Sequence, residues 1–240
     1  MRIGCCGFPV SQKRYFLEFD LVEIQSTFYK MPERKTVERW RRLPGEFILK
    51  CFQGITHSPQ SPTWKKSGLE KNKDYGFLQP TEKNFKLWER MEEFSRILRS
   101  NLILIQMPPS FSCNSQNVKN LEEFFSSINF QVALELRGDW RENFEVVRRI
   151  CGSLNLIHVT DILKREPLSK KEILYTRLHG LFGEFNYKYR YTDSDLMELK
   201  KRLSKFKERK RYVLFNNIYM WDDSKRFKDL LKGNQSIYKS

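Results

Sequence analysis

The sequence predicts a single (β/α)8 barrel over residues 1–240, with a long insertion after the third strand. Three observations lead to this fold class. Eight short apolar runs recur along the chain, helical patterns alternate with them, and no linker or compositional break divides the 240 residues. Several runs are apolar at consecutive positions, as is typical of strands covered on both faces in a parallel sheet. A doubly wound open sheet needs fewer strands and usually carries a glycine-rich phosphate loop, which this sequence lacks.

Strands and helices are expected to alternate from one end of the chain to the other. The first predicted helix follows Pro32, and the second is capped by Thr81 with acidic residues near its start. The predicted strands cover 2–6, 21–24, 47–51, 101–107, 131–136, 155–160, 173–178 and 211–215. The predicted helices cover 33–42, 81–100, 117–128, 141–154, 194–206 and 224–231.

The connection from Gln53 to Pro80 forms the insertion. It contains three prolines and three glycines and has no periodic pattern. A loop of this length inside a compact domain is usually functional or disordered. It also places Trp64 beside Lys65 and Lys66, and such a pairing of aromatic and basic side chains suits contact with nucleic acid.

The charge balance points to an anionic ligand. Lysine and arginine total 44 against 29 acidic residues, which gives a net charge of +15 and a pI near 9.6. A field of this sign attracts polyanions, whether nucleic acid, phosphorylated metabolites or an anionic membrane surface. No apolar run approaches the roughly 18 residues of a membrane span, and the first ten residues are too interrupted for a signal peptide. We therefore expect a cytoplasmic protein without a membrane partner.

Seven of the eight predicted strands end on polar or charged residues. In a barrel of this type, the C-terminal strand ends meet at one pole, where the catalytic residues lie. Unpaired buried charges are costly, so packing alone does not explain the pattern. The alternative is a set of ion pairs that close the barrel mouth, such as Lys50 with Glu23 and Arg137 with Asp161. The strand-end residues are Glu23, Gln25, Lys50, Gln106, Glu135, Arg137, Asp161, Arg177, His179, Asn216 and Asn217.

Several segments resemble the YecE-like family, known as domain of unknown function 72. The strongest are VEIQSTFYKMP (22–32) and LILIQMPPSF (102–111), and others run nearly the whole chain in family order. They include IGCCGF (3–8), TVERW (36–40), FILKC with GITH (47–57), ALELRGDW (133–140), YTRLHG (175–180) and YVLFNN (212–217). The resemblance implies a (β/α)8 barrel that is similar to endonuclease IV and xylose-isomerase-like barrels. On that analogy, DNA binding has been proposed for the family.

This chain departs from the family pattern at several positions. Phe8 stands where the family usually has tryptophan, and Gln25 stands where it has asparagine. The family's EFRH followed by SW reads Glu135-Leu136-Arg137-Gly138-Asp139-Trp140 here, so the histidine is absent. Any mechanism that relies on that histidine does not transfer to this chain.

Two kinds of catalytic chemistry fit the strand-end residues. Glu23, Glu135, Lys50 and His179 suit proton transfer without a metal, because neighbouring charges can tune their pKa values apart. Alternatively, one divalent metal ion is held by ligands drawn from a set of five residues. These metal candidates are Glu23, His57, Glu135, Asp161 and His179.

The remaining candidates are substrate contacts. The planar guanidinium groups of Arg137 and Arg177 suit a phosphate or a carboxylate. Further expected substrate contacts are Gln25, Tyr29, Gln106, Ser110, Trp140 and Asn216. The expected nucleic-acid contacts are Trp64, Lys65, Lys66, Tyr187, Lys188, Tyr189 and Arg190, the last four within FNYKYRY (185–191). The alternative for this segment is an amphipathic strand whose tyrosines pack on the barrel.

Three functional hypotheses follow from these residues. The first is a nucleic-acid-acting protein, specifically a hydrolase of phosphodiester or glycosidic bonds with its site at the electropositive mouth. The second is an enzyme acting on a small phosphorylated or carboxylated metabolite. The third is a barrel that binds nucleic acid without catalysis. All three place the functional residues at the same pole of the barrel.

Overall fold

Eight parallel strands form the predicted barrel. A computed structural model describes residues 1–169, 171–207 and 209–233. Its strands are β1 Arg2–Cys6, β2 Leu21–Ile24, β3 Glu46–Lys50, β4 Ile103–Gln106, β5 Val132–Glu135, β6 Ile157–His158, β7 Ile173–Leu178 and β8 Lys210–Phe215. They pair in the order β6-β5-β4-β3-β2-β1-β8-β7, and a single bridge between Thr160 and Thr176 joins the two ends of the sheet. The predicted (β/α)8 barrel is confirmed.

Helices connect the strands and cover the outside of the sheet. They are α1 Gln12–Tyr15, α2 Ser26–Tyr29, α3 Arg34–Arg41, α4 Gln53–Thr56, α5 Glu82–Ile97, α6 Ser115–Ser126, α7 Phe144–Ser153, α8 Asp193–Ser204 and α9 Met220–Gly233. The side chain of Thr81 caps α5 as predicted, and Thr192 and Asp195 form a capping box at the start of α8. None of the helices in the described ranges is long and apolar enough to cross a membrane.

The three shortest helices were not predicted. Each of α1, α2 and α4 has four residues, which is too short for a repeating apolar pattern to show in the sequence. The helix α2 matters most for function, because it follows β2 directly and carries Phe28 and Tyr29 to the barrel mouth.

The insertion after β3 contains regular secondary structure and is not a free loop. It contains α4 and a short 3-10 helix, Trp64–Lys66, and Trp64 is only 2% exposed. The side chain of Gln53 donates a 2.9 Å hydrogen bond to the carbonyl of Tyr29 and accepts one from Thr63. At Gly76, φ is +82° and an added Cβ would lie 2.1 Å from the carbonyl oxygen of His57, so this position requires glycine.

Candidate active site at the barrel mouth

The two-residue period of the strands places a polar layer above an apolar barrel interior. Leu21, Ile48, Leu104, Ala133 and Tyr175 belong to one buried cluster inside the barrel. Side chains two positions further along each strand point to the same side, because side chains alternate between the two faces. Those positions hold Glu23, Lys50, Gln106, Glu135 and Arg177, and all five side chains are buried. The predicted convergence of these strand-end residues at one pole is therefore observed.

Arg177 is the centre of this layer. Its guanidinium group donates a 2.9 Å hydrogen bond to Glu23 and a 2.5 Å hydrogen bond to Glu135, and the side chain is fully buried. The hydroxyl of Tyr175 donates a 2.7 Å hydrogen bond to the second oxygen of Glu23, and the amide of Gln25 donates to its first oxygen. Both carboxylates are thus held inside the protein by charged and neutral donors.

Arg137 forms the outer edge of the same network. Its Nε atom donates a 2.6 Å hydrogen bond to Glu135, and its guanidinium carbon lies 4.1 Å from the ring centre of Phe185. Burial alone would raise the pKa of Glu135, but the charges of Arg137 and Arg177 hold that pKa well below its usual range. Glu23 and Glu135 are therefore occupied by arginines, and neither is free to act as the proton-transfer group that the sequence predicted.

Lys50 differs from every other charged group in the layer. It is 7% exposed, and within the described part of the chain its amine makes no ion pair or hydrogen bond. The Nζ atom lies 4.2 Å from the centre of the Phe28 ring, so its nearest described partner is an aromatic face. Burial, and then the positive charges of Arg177 and Arg137, lower the pKa of Lys50 to about 7. The amine therefore loses its proton much more readily than the amine of an exposed lysine.

A cavity of about 760 Å³ opens above Lys50, and we call it the mouth cleft. Its volume is within the roughly 300–1,000 Å³ of typical small-molecule sites. Three sides come from α2, from the insertion and from the loop after β4. The lining residues are Phe28, Tyr29, Lys50, His57, Ser58, Gln60, Ser61, Pro62, Thr63, Phe77, Gln106, Pro108, Pro109, Ser110, Arg137 and Tyr187.

A second cavity of about 270 Å³, the side pocket, lies at the ends of β5, β6 and β7. Arg137 lines both cavities, so its side chain forms part of the wall between them. Trp140, predicted as a substrate contact, lines the side pocket; its indole N–H donates to the carbonyl of Phe111, and its ring stacks on Phe111. Of the other predicted residues, Glu135, Asp161 and His179 also line this pocket.

The three histidines are neutral and are divided between the two cavities. Burial lowers the pKa of His57 to about 3 and that of His158 to about 4, and it holds the pKa of His179 well below its usual range. His57 lies in the mouth cleft with its Nδ1 atom 2.8 Å from the hydroxyl of Thr56. His158 and His179 lie in the side pocket.

The predicted metal ligands do not converge on one point. In the ranges that the structure describes, no three His, Cys, Asp or Glu side chains are arranged to hold a metal ion. Glu23 and Glu135 face Arg177, and His57 lies in the mouth cleft. The carboxylate of Asp161 accepts hydrogen bonds from the backbone N–H groups of Leu163 and His179. The five candidates therefore do not form a metal site.

The predicted nucleic-acid contacts divide into exposed and packed residues. Lys65, Lys66, Lys188 and Arg190 are exposed, and Tyr187 reaches the mouth cleft. Trp64 is a correction, because its ring is buried against Tyr75 and offers no free face to a base. Tyr189 is a second correction, because its hydroxyl donates to Asp195 at the start of α8 and its ring packs on Tyr191.

The remaining predicted substrate contacts lie either in the mouth cleft or outside both cavities. Gln106 and Ser110 line the mouth cleft together with Tyr29, which is 39% exposed. Asn216 is half-buried at the end of β8, where its backbone N–H donates to the carbonyl of Leu178. Neither cavity includes Asn216 or Gln25 in its lining.

Sequence reasoning missed several residues of this site. Tyr175 could have been found, because it stands two residues before Arg177 on one strand and therefore shares its face. Phe28, in the four-residue helix α2, contacts Lys50, and Phe185, in the irregular loop after β7, contacts Arg137. No periodic signal in the sequence identifies which aromatic ring meets which cation.

Residues 12–238 match the family described as "Protein of unknown function DUF72". The chain belongs to the DUF72 family. The predicted resemblance to domain of unknown function 72 is confirmed, and the polar layer of β2, β5 and β7 lies within the matched residues.

Relatives of similar length support the assignment. The UPF0759 protein YunF of Bacillus subtilis (strain 168) is 24% identical over 263 residues, which cover 92% of this chain and 86% of that protein. A solved DUF72 family protein of Thermotoga maritima MSB8 has a TM-score of 0.70 at 24% identity and covers 96% of this chain and 98% of its own. A solved DUF72 family protein of Enterococcus faecalis V583 has a TM-score of 0.72 at 19% identity, with 96% and 97% coverage.

The fold is also similar to that of xylose-isomerase-like barrels. A xylose isomerase domain containing protein of Salmonella typhimurium LT2 has a TM-score of 0.50 at 13% identity and covers 99% of this chain and 97% of its own. At this identity the likeness concerns the fold alone.

Proposed function

We propose that the protein is an enzyme that acts on a small phosphorylated or carboxylated substrate in the mouth cleft. Lys50 carries the proton transfer, and Arg137 binds the anionic group. The single observation that carries this proposal is the placement of Lys50, a largely buried side chain that lines the cleft and makes no ion pair or hydrogen bond in the described part of the chain. Its amine faces the open cleft and no carboxylate, so a structural ion pair does not account for a lysine at this position.

The charges of the polar layer suit an anionic guest. Glu23 and Glu135 balance Arg177 and Arg137, which leaves Lys50 as one additional positive charge when it is protonated. An anion in the cleft would stabilise the protonated amine and raise the pKa of Lys50. When the anionic substrate is bound, the protonated amine can therefore donate a proton to it, and in the free protein the lowered pKa lets the amine exchange its proton with water.

The arginine pairs argue against a glycosidic hydrolase mechanism. Such hydrolysis usually needs two carboxyl groups that face the scissile bond, one as acid and one as base or nucleophile. Here both Glu23 and Glu135 are directed at Arg177. Proton transfer by Lys50 does not require breaking this network.

Action on a nucleic acid is the second candidate. Tyr29 and Tyr187 are 39% and 41% exposed, and both line the mouth cleft where a base can stack. The amine of Lys66 lies 5.0 Å from the ring centre of Tyr29, which places a cation beside this aromatic face. The net charge of +15 supports the same candidate.

One pair of experiments tests both candidates. A panel of phosphorylated and carboxylated metabolites is assayed for turnover with the wild type, with Lys50→Met, and with Lys65→Met as a matched exposed-lysine control. We expect turnover that Lys50→Met abolishes and Lys65→Met retains. Single-stranded oligonucleotide binding is measured by fluorescence anisotropy at 50 and 200 mM salt. Tight binding that falls steeply with salt, together with no turnover of any small anion, would favour the second candidate.

A further inference from the structure

Most of the surface that lines the side pocket is apolar, although charged side chains surround it. Phe144 and Val147 of α7 face Val159, Leu168 and Phe185 from the strand ends and their loops. Its volume of about 270 Å³ is just below the range of drug-sized sites, so it suits a small ligand with an apolar body.

Buried polar atoms without partners surround the same pocket. In the described residues, the Nε2 atom of His179, the hydroxyl of Thr160 and the Nε atom of Arg141 are buried and have no hydrogen-bond partner. His179 and Thr160 are themselves more than nine-tenths buried. Buried polar groups almost always have a partner, so three such groups around one cavity indicate a guest that supplies it. The Nε–H group of Arg141 can only donate and the hydroxyl of Thr160 can also donate, so a guest with acceptor oxygens would satisfy both.

The charges at the pocket set the charge of that guest. Arg141 and Arg165 both pair with the single carboxylate of Glu184, at 2.6 Å and 2.9 Å. Two guanidinium groups on one carboxylate leave one positive charge unmatched. The other acidic residues at the pocket are paired with other cations: Glu135 with Arg137 and Arg177, Asp161 with Lys164, and Glu166 with Lys205.

From these observations we propose that the side pocket binds a small monocarboxylate with an apolar body. Its carboxylate lies near Arg141 and Arg165, and its apolar part lies between α7 and Phe185. Thr160 and His179 supply the remaining hydrogen bonds. This site is separate from the mouth cleft, and it neither requires nor excludes the catalytic role of Lys50.

Benzoate is the test ligand, because it has one negative charge and a rigid apolar ring. The chain has three histidines, two of which lie in the side pocket and one in the mouth cleft, so their imidazole NMR signals report the place of binding. We expect saturable shifts at His158 and His179 and none at His57. Benzyl alcohol, which lacks the charge, is expected to bind at least about tenfold more weakly.

Two substitutions with opposite expected effects test the charge argument. Arg141→Gln removes the unmatched positive charge and is expected to weaken benzoate binding about tenfold, whereas Glu184→Gln removes a competing carboxylate and is expected to strengthen it. Arg149→Gln is the matched control, because Arg149 pairs with Glu122 on the surface and is expected to leave the affinity unchanged. Val147→Phe fills the pocket and should abolish binding.

Each outcome decides the proposal. Thermal unfolding confirms that each variant is folded before its affinity is compared. Absence of saturable shifts in the folded wild type would overturn the proposal, as would shifts confined to His57. Equal affinity for benzoate and benzyl alcohol, or an unchanged affinity in both Arg141→Gln and Glu184→Gln, would overturn the monocarboxylate assignment.

Discussion

Arg177 and Glu23 meet at the barrel axis through a 2.9 Å hydrogen bond, although their strands are separated by β1 and β8. Because Arg177 also holds Glu135 on β5, one guanidinium group connects three strands of the barrel. The pairing leaves Lys50 as the described cation of this layer without a carboxylate partner. We therefore propose a structural role for the buried network and assign Lys50 as the group available for chemistry.

Replacing Arg177 with methionine should destabilise the fold strongly. The change leaves Glu23 without its arginine partner and Glu135 without one of its two, both inside the protein. Breaking a buried ion pair by removing one partner typically costs about 3–5 kcal/mol. Chemical denaturation at pH 7 measures the loss. A change below about 1 kcal/mol would show that the network contributes little to stability.

Replacing Lys50 with methionine should stabilise the fold near neutral pH. Because burial lowers the pKa of Lys50 from 10.5 to about 7, the unfolded chain binds more protons than the folded chain between these two pH values. The wild-type free energy of unfolding should therefore rise with pH across this window through Lys50, and that rise should be absent from Lys50→Met. At pH 7 the free energy of unfolding of Lys50→Met should exceed that of the wild type by an amount on the order of a few kcal/mol, and this difference should shrink toward pH 10.

The same denaturation series needs an exposed-lysine control. Lys65 is exposed on the insertion, so Lys65→Met should leave both the stability and its pH dependence unchanged. A stability of Lys50→Met equal to or below that of the wild type across the window would mean that the lysine is well accommodated, which would remove the main argument for its catalytic role.

The three buried histidines should make the protein less stable as the pH falls. Their pKa values are lowered in the folded state, to about 3 for His57 and about 4 for His158, and well below the usual range for His179. Below about pH 6.5 the unfolded chain takes up protons that the folded chain does not. Each histidine contributes up to about 1.4 kcal/mol per pH unit between pH 6.5 and its own folded pKa.

A single substitution isolates one of these contributions. Between pH 6.5 and pH 4, the three histidines contribute to the slope of the free energy of unfolding against pH. His57→Gln should reduce that contribution by about one third, because one of the three protons taken up on unfolding is lost. Denaturant midpoints at several pH values provide the measurement. A slope identical to that of the wild type would show that His57 is accessible to protons in the folded protein.

The aromatic side chains of the mouth cleft give a test of the nucleic-acid candidate. If bases stack in the cleft, Tyr29→Ala and Tyr187→Ala should each weaken single-strand binding, since stacking contributes about 1–3 kcal/mol per base. Tyr219→Ala is a useful comparison, because Tyr219 lies outside the cleft lining. Equal affinities for all three variants and the wild type would eliminate stacking in the cleft.

The barrel could be predicted because its strands have a strong local signal. Consecutive apolar residues in β4 and β8 reflect burial on both faces, and that burial is a property of each segment by itself. The helices α2 and α4 could not be predicted, because tertiary contacts, and not a repeating pattern, stabilise four residues as a helix.

The site could be predicted as a set of positions but not as a set of pairings. Their positions at the C-terminal ends of strands predicted that Glu23, Glu135 and Arg177 lie at one pole of the barrel. The structure brings them together there. Which carboxylate takes which cation depends on distances across the barrel that no local pattern encodes. The ion pairs expected between Lys50 and Glu23 and between Arg137 and Asp161 do not form; instead, Arg137 pairs with Glu135 and Asp161 with Lys164.

The titration of Lys50 tests the central claim most directly. Nitrogen-15 NMR of the lysine side chains, with Lys50→Met to assign the signal, follows the amine from pH 5 to pH 11. We predict a midpoint near pH 7 that moves upward when sulfate, a non-titrating anion in this range, is added. An Arg137→Gln variant should show a smaller response to sulfate. A midpoint near 10.5, unchanged by sulfate, would contradict both the burial of an unpaired amine and its place beside an anion site.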